Sequence, residues 1–397
     1  MNYNISKAPE LEWLKANSVN GTPEGADTVD KEYKRTWCSI ELFNAVLENN
    51  YEAFSACQPE TTRITRESFS EIRTYVKSVL KTADDENAMR AFLVINDLGK
   101  VGDFVEKIAD SLGFESVDHD KILYEGLKAH PEFSPTFSAL ADKYQQIILT
   151  GLKTAFNMGQ YVQCECLPAN LAPLTDIDAV ALNYYMIHVL FDIAGAAGHV
   201  NSNGSLICNE LYWKKFSWAL ETIICMVNGK CGPKEAYEDY LTKTMDFYKV
   251  SSPVIAKLCN LVRISTSEEA DELRVAFDKL IPETKRNLEK ELMATGIGND
   301  TAILMYYSPA TFQNALSYYK KVEPETAIAQ TIQHVAPVMS HIYKRIRAME
   351  ERSEGVVIAF IADIAKAAME PEKLMLSSEI QRVGNDFIVK RGGYDVD

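Results

Sequence analysis

Histidines that could act as bases or metal ligands are concentrated in one part of the chain. Of the six histidines, four lie between residues 119 and 199. A neutral imidazole is a common metal ligand, and it also exchanges protons near neutral pH. The concentration predicts a catalytic or metal site built from this stretch. The four are His119, His130, His188 and His199.

A buried carboxylate is expected at Asp97, in the segment Asn96-Asp97-Leu98-Gly99-Lys100. The apolar run Ala91–Ile95 leads directly into this segment, which predicts a buried helix that ends near Asp97. Gly99 would permit a left-handed exit from the helix. A desolvated carboxylate needs a partner, and either a metal ion or a lysine would serve. Alternatively, the segment is simply a helix C-terminus followed by a turn.

The same segment resembles the HD-domain superfamily of metal-dependent phosphohydrolases and its inositol-oxygenase-like relatives. In that family an apolar helix ends in His-Asp-(Leu/Ile)-Gly-Lys, and Asp97, Gly99 and Lys100 match this pattern. Asn96 stands where the family has histidine, and no histidine precedes His119 to supply the ligand of the preceding helix. The resemblance covers about residues 65–200 and implies a divalent metal site (Mg, Mn, Fe or Zn), with a lysine that faces the substrate.

Later helices would supply the remaining metal ligands. His188 and Asp192 lie four residues apart, on one face of an apolar helix that holds almost no other charge. Alternatively, these two side chains form a hydrogen bond with each other. His119 and Asp120 follow Asp118 at a helix start, where Asp118 could instead act only as an N-cap. The predicted metal ligands are Asp97, His119, His188 and Asp192, and the predicted catalytic residues are Lys100 and Asp120.

Substrate contacts are expected from two places. One is the segment around Asn96 and Lys100. The other is the small-residue stretch Gly195–Ser205, which carries His199 and Asn201. Small residues let a backbone approach a ligand closely. Alternatively, this stretch is only a connection between two helices.

Three functions remain open on these residues. The first is a metal-dependent phosphohydrolase that acts on a small phosphate-bearing substrate. The second is a diiron oxygenase of the inositol-oxygenase type, which needs more histidine ligands than the chain offers. The third is a catalytically inactive helical scaffold that binds a partner protein, with Tyr306-Tyr307 and Tyr318-Tyr319 as aromatic surface candidates.

Charge and cysteine content restrict the partners and the compartment. The formal net charge of −15 disfavours binding to nucleic acid and to anionic membranes. The eight cysteines include no CxxC motif, and Cys164-x-Cys166 alone is a poor metal signature. Most of them lie in apolar runs, which is typical of a reducing compartment. We therefore expect a cytoplasmic or otherwise intracellular protein with no secretory signal and no membrane contact.

Helical periodicity dominates the chain and predicts an all-α fold. Apolar residues recur at three- and four-residue steps, for example Phe137, Leu140, Tyr144 and Ile148. The expected architecture is a multi-helix globular bundle that resembles a divergent HD domain, with an added C-terminal helical layer. Val180–Val200 and Val356–Ala368 are expected to be buried helices, and 385–390 could form a short strand. The predicted parts are an N-terminal arm or loop at 1–35, a helical core at 36–228 and the helical layer at 233–397.

Overall fold

The computed structural model describes residues 5–16, 30–114, 116, 119–370, 374 and 378–392. Helices dominate these residues, as the periodicity predicted. In chain order they are α1 (Pro9–Ala16), α2 (Lys31–Leu47), α3 (Tyr51–Ser55), α4 (Arg66–Val79), α5 (Ala83–Ile95), α6 (Gly102–Leu112), α7 (His119–Ala129), α8 (Pro135–Ser138), α9 (Asp142–Lys153), α10 (Met158–Val162), α11 (Ala179–Gly195), α12 (Glu210–Val227), α13 (Pro233–Tyr248), α14 (Pro253–Leu261), α15 (Ser267–Asp278), α16 (Pro282–Met293), α17 (Ser308–Val322), α18 (Ala327–Met349) and α19 (Ala362–Ala367).

A four-stranded sheet makes the all-α prediction only approximately right. The strands are β1 (Thr301–Tyr306), β2 (Gly355–Phe360), β3 (Ser378–Val383) and β4 (Asp386–Arg391), in the spatial order β1-β2-β4-β3. β1, β2 and β4 run parallel, and β3 pairs antiparallel with β4. In register, Thr301 lies opposite Gly355, and Ser378 lies opposite Arg391.

The strand predicted at 385–390 is confirmed by β4. The helix predicted at Val356–Ala368 is wrong in its first half, because Val356–Phe360 belong to β2 and only Ala362–Ala367 form a helix. Inner strands of parallel sheets are apolar on both faces, so they lack the alternation that marks a half-buried strand. β1 is an edge strand of this sheet, but its residues 302–305 are also a continuous run of buried apolar residues, which explains why β1 was not predicted.

The chain divides into two compact units. Unit 1 comprises residues 1–156 and 176–217, and unit 2 comprises residues 157–175 and 218–397. The predicted parts were instead consecutive, with a break between 228 and 233. Within the predicted N-terminal arm, Pro9–Ala16 is helical and α2 begins at Lys31, so the stretch is not a loop throughout. Residues 1–4 and 17–29 lie outside the described residues.

In unit 1, helix α11 packs against α2, α5 and α9. It confirms the buried helix expected at Val180–Val200, although it ends at Gly195. Asp178 caps its first turn by accepting from the backbone N–H groups of Val180 and Ala181. The rings of Phe43 on α2 and Phe191 on α11 meet edge to face, with their centroids 5.1 Å apart.

The core of unit 2 is formed by the longer helices and the sheet. Helix α18 packs against α15, α16 and α17, and the buried residues of these helices form one apolar cluster with Ile303 of β1 and Val357 of β2. Among the described residues of the whole chain, no helix is long and apolar enough to cross a membrane.

Candidate functional site

Asp97 is buried one residue beyond the C-cap of α5, as the sequence predicted. Helix α5 begins with a capping box between Thr82 and Asp85 and is apolar along its last two turns. The Asp97 carboxylate makes no capping hydrogen bond. It accepts instead from the Nζ of Lys100, which lies 2.6 Å from its Oδ1. A lysine was one of the two partners expected for this carboxylate, and Lys100 fills that role.

Gly99 is needed for a different reason from the one predicted. Its φ angle is not in the left-handed region, so the expected left-handed exit is wrong. A Cβ atom on Gly99 would lie 2.0 Å from the carbonyl oxygen of His119, the first residue of α7. This close approach brings the start of α7 against the turn that carries Asp97 and Lys100.

Two charged residues of α2 belong to the same cluster and were not predicted. Glu32 Oε2 lies 3.1 Å from the Nζ of Lys100, and Arg35 Nη1 lies 3.0 Å from the same Glu32 oxygen. The expected arm ended at residue 35, which hid the first turn of α2. The signal was nevertheless present, because Glu32 and Arg35 extend the stripe of Ser39, Phe43 and Val46 by one helical turn.

The carboxylates of this network are buried more deeply than its cations. The side chains of Glu32 and Asp97 are 1% and 2% exposed, whereas those of Lys100 and Arg35 are 16% and 20% exposed. Within this network, the cations are therefore more accessible to solvent than the carboxylates. The arrangement suits an anion better than a cation at the outer side of the network.

Mutual attraction keeps Asp97, Lys100 and Arg35 ionised. Burial alone would raise the pKa of Asp97, but Lys100 and Arg35 hold it well below its usual range. Burial would likewise lower the pKa of Lys100, but the Asp97 carboxylate raises it instead. The pKa of Arg35 is raised against its own desolvation by Asp97, Asp192 and Glu32. Buried charges that are not paired in this way would be costly.

His188 lies on α11 in an almost entirely apolar environment. Its ring, 3% exposed, stacks on Phe92 with a centroid distance of 3.7 Å, and Tyr185 lies at 6.0 Å. Burial lowers the pKa of His188 to about 3, so the imidazole is neutral. Neither of its ring nitrogens has a hydrogen-bond partner. The hydrogen bond to Asp192, considered as an alternative, is therefore absent.

Asp192 lies one helical turn beyond His188. Burial and the nearby Asp97 charge raise the pKa of Asp192 to about 6, while Arg35 and Lys100 act in the opposite direction. A carboxyl group of this kind gains and loses its proton near neutral pH. It has the acid strength expected of a general acid or base.

His119 and Asp120 lie at the more exposed edge of the cluster. His119 Nε2 is 3.2 Å from Asp120 Oδ1, and each side chain is 38% exposed. Asp120 is near enough for its charge to raise the pKa of Asp192. Asp118, considered as the N-cap of this helix, lies outside the described residues.

Three residues predicted to contact the substrate remain: His199, Asn96 and Asn201. His199 has a buried Nδ1 without a partner, and its pKa is lowered by burial and then by Lys31 and Arg35. Asn96 Nδ2 lies 3.4 Å from Asp97 Oδ1. Asn201 instead accepts from the backbone N–H of Asn203 at 2.9 Å, so its side chain stabilises a local turn.

The glycines before His199 serve helix packing. A Cβ on Gly195 would lie 2.1 Å from Ser39 Oγ, and one on Gly198 would lie 2.6 Å from the carbonyl oxygen of Lys34. These contacts are with α2, so the small residues allow α2 to approach the end of α11 closely. They thereby bring Arg35 to the α11 side of the cluster.

Unpartnered polar atoms are concentrated in this cluster. The Nε of Arg35, both ring nitrogens of His188 and the Nδ1 of His199 are buried without a hydrogen-bond partner. A buried polar group without a partner costs about 1–3 kcal/mol, so such groups usually face a ligand or a water. Arg35 Nε can only donate, whereas each neutral imidazole has one donor and one acceptor nitrogen.

By chemical type, the residues fit a divalent metal ion. One neutral imidazole with two carboxylates, from His188, Asp97 and Asp192, is a donor set suited to manganese, iron or zinc. In the described residues, however, no three His, Cys, Asp or Glu side chains converge closely enough to hold a metal. Lys100 also holds the Asp97 oxygen that a metal would need. A metal at Asp97 therefore requires Lys100 to move away.

Comparison with known proteins identifies a family but no function. No curated protein and no solved structure matches the chain. The HD-domain resemblance therefore stays a prediction. A family model matches residues 28–374, which include every residue of the cluster described above. The chain thus belongs to a family described as "Family of unknown function (DUF6829)".

Proposed function

We propose that the cluster in unit 1 binds a small phosphate-bearing molecule and hydrolyses its phosphate ester with the help of a divalent cation. The observation that carries this proposal is the group of unpartnered buried atoms on Arg35, His188 and His199. A phosphate offers several acceptor oxygens, and protonated forms also donate. It would satisfy donors that otherwise cost free energy.

Arg35 and Lys100 would bind the phosphate. These two residues are more exposed than the carboxylates of the network. Their carboxylate partners raise the pKa of each, so both are positively charged at neutral pH. Arg35 uses Nη1 for Glu32, which leaves its Nε for a ligand oxygen. Guanidinium groups bind phosphate oxygens through N–H donors of this kind.

Asp97, His188 and Asp192 would hold the cation once movement of their side chains brings them together, with His119 at the edge of the site. A bound divalent cation lowers the pKa of a coordinated water and so supplies hydroxide near neutral pH. When a phosphate draws Lys100 outward, the Asp97 carboxylate is released from its ion pair. Asp120, at the exposed edge beside Asp192, would exchange the proton with the leaving alcohol.

Hydrolysis of phosphate monoesters by the purified full chain tests the proposal. Release of inorganic phosphate is measured for nucleotides, sugar phosphates and p-nitrophenyl phosphate, each with Mg²⁺, Mn²⁺, Fe²⁺ or Zn²⁺ and with a chelator. We expect cation-dependent turnover that Asp97→Asn and His188→Gln abolish. Lys100→Met should weaken substrate binding more than it lowers the turnover of bound substrate.

A matched control is Lys128→Met. Lys128 also pairs with a carboxylate three residues away, Glu125, but it is 56% exposed and lies outside the cluster. It should leave turnover unchanged. If no ester is hydrolysed with any of the four metals, and phosphate does not bind either, the proposal is rejected.

A scaffold without catalysis is the second candidate, and the closed ion-pair network favours it. Glu32, Arg35, Asp97 and Lys100 neutralise one another, and Lys100 takes the place beside Asp97 that a metal would need. A scaffold predicts that none of the unpartnered atoms responds to phosphate. The diiron oxygenase has less support, because His188 is the only fully buried histidine of the cluster.

A further inference from the structure

A second group of reactive side chains lines a small cavity within unit 2. The cavity offers about 20 Å³ to the centre of a water-sized molecule, so it admits molecules of one or two heavy atoms. An amine, two carboxyl groups, a thiol and a phenol border it. They belong to Lys257, Glu165, Glu291, Cys164 and Tyr343.

The thiol is held on a backbone conformation that L-residues rarely adopt. Cys164 follows α10 with a φ angle of 56°, and its N–H donates to the carbonyl oxygen of Tyr161 at 2.9 Å. This is the position after a helix at which glycine is usual, because a Cβ atom is strained there. Backbone conformations that are strained in this way are often associated with function.

Two groups near the sulfur favour its thiolate form. The amide Nδ2 of Asn260 lies 3.1 Å from Cys164 Sγ, and both residues are buried. Lys257 on the same helix, α14, is close enough for the Cys164 charge to raise the pKa of the amine. A hydrogen-bond donor and a nearby cation both stabilise a thiolate.

Lys257 can itself take the proton from the thiol. It is buried, donates to the carbonyl oxygen of Leu292 and lies over the ring of Tyr237 at 4.7 Å. Burial lowers the pKa of Lys257 to about 8, so about a tenth of the amine is neutral at pH 7. Transfer of the thiol proton to this amine gives a thiolate and an ammonium that both line the cavity.

Glu165 is a further proton carrier at the cavity. Its carboxylate accepts the N–H of Tyr307 at 2.6 Å, just before the N-terminus of α17. Burial raises the pKa of Glu165 to about 7, although the N–H groups of Tyr307 and Ser308 lower it. Near pH 7, a good part of the Glu165 carboxyl population therefore carries a proton that it can donate.

We propose that Cys164 is a peroxide-reactive cysteine, activated by Lys257 and Asn260, and that the cavity admits hydrogen peroxide. The thiolate sulfur attacks one peroxide oxygen and forms an S–O bond while the O–O bond breaks. The leaving hydroxide takes a proton from the Lys257 ammonium or from Glu165 and departs as water. Cys164 is thereby oxidised to sulfenic acid, and the peroxide is reduced. The volume of the cavity excludes organic peroxides and bulky thiol reagents.

The test compares cysteines within the native full chain. The protein is exposed to hydrogen peroxide for increasing times, catalase ends the reaction, and the chain is denatured in iodoacetamide. Peptide mass spectrometry then gives the fraction of each cysteine that escapes alkylation. Cys259 is the control, because it is equally buried in unit 2 but does not line the cavity. We expect Cys164 to be oxidised at least about tenfold faster than Cys259, and dithiothreitol to reverse the change.

Variants test the assigned roles. Lys257→Met should slow the oxidation of Cys164 by about tenfold, the effect of one pKa unit on the thiolate fraction. Lys243→Met, on the neighbouring helix α13 and paired at the surface with Glu221, should not slow it. Equal rates for Cys164 and Cys259 in the unmodified chain would overturn the proposal, whether or not Lys257→Met folds. An unchanged rate in a folded Lys257→Met would overturn it as well.

Discussion

Removal of the Lys100 ammonium is the sharpest perturbation of the buried network. Lys100→Met keeps most of the aliphatic stem and deletes two contacts, the one of 2.6 Å to Asp97 and the one of 3.1 Å to Glu32. Both carboxylates are almost fully buried, so neither can replace the lost partner with bulk water. Arg35 remains near them and partly compensates for the lost positive charge.

The expected cost follows from the burial of the pair. Removing one partner of a buried ion pair costs about 3–5 kcal/mol. Because Lys100 is partly exposed and Arg35 remains, we expect the lower end, about 3 kcal/mol at pH 7. The pKa of Asp97 lies below its unfolded value, so the pair stabilises the fold above about pH 4 and the contribution is lost as the pH falls through the folded pKa. Without Lys100, burial raises the pKa of Asp97, and protonation at pH 5 recovers part of the loss.

Hydrogen exchange measured by mass spectrometry reports this free energy locally, on peptides from α5 and α11. A loss of about 3 kcal/mol corresponds to exchange that is about 150-fold faster at pH 7. After correction for the intrinsic exchange rate, the effect should be smaller at pH 5. Lys128→Met, which breaks an exposed pair of the same spacing, should change exchange less than about threefold. Similar effects of the two substitutions would show that burial of the pair does not determine the cost. An effect of Lys100→Met that grows toward acid pH would contradict the expected rise in the pKa of Asp97.

Three further substitutions probe the same cluster. His188→Leu should leave the thermal midpoint unchanged or raise it, because it removes two buried nitrogens without partners, and a loss above about 2 kcal/mol would contradict this. At pH 7, Asp192→Asn should be more stable than the unmodified chain by roughly 3 kcal/mol, because the folded pKa of about 6 exceeds the unfolded value of about 4. The unmodified chain loses this stability as the pH rises from 4 to 6, so the gain should be absent at pH 4. Urea unfolding at both pH values measures the difference. Gly99→Ala should cost about 1–3 kcal/mol in thermal unfolding, because its Cβ would meet the His119 carbonyl oxygen, and a neutral effect would show that α7 can shift.

Helices were predictable from sequence because their apolar stripes depend on a local period. The same reasoning missed β1 and β2, whose apolar residues face neighbours on both sides and therefore do not alternate. β4 could be predicted because its apolar residues, 387–389, form a short run between polar residues.

Part of the cluster was also predictable. Buried polar groups are indicated by Asp97, a carboxylate after an apolar helix, and by His188 and Asp192, two ionisable residues inside another apolar helix. Their partners could not be deduced in the same way, because Glu32 and Arg35 are more than 60 positions earlier and meet Lys100 only through tertiary packing. The role of Gly99 was misread for the same reason, since its neighbour His119 is distant in sequence.

The proposed function requires the unpartnered nitrogens of this cluster to face a bound phosphate and its divalent cation. Nuclear magnetic resonance of ¹⁵N-histidine-labelled protein tests it most directly, since the chain has only six imidazole rings to assign. We expect inorganic phosphate, with Mg²⁺ or Zn²⁺ present, to shift the ring nitrogens of His188 and His199 saturably, while those of His130 and His334 stay in place. If the resonances of His188 and His199 do not move at any phosphate concentration, the cluster is a structural ion-pair network and the account is wrong.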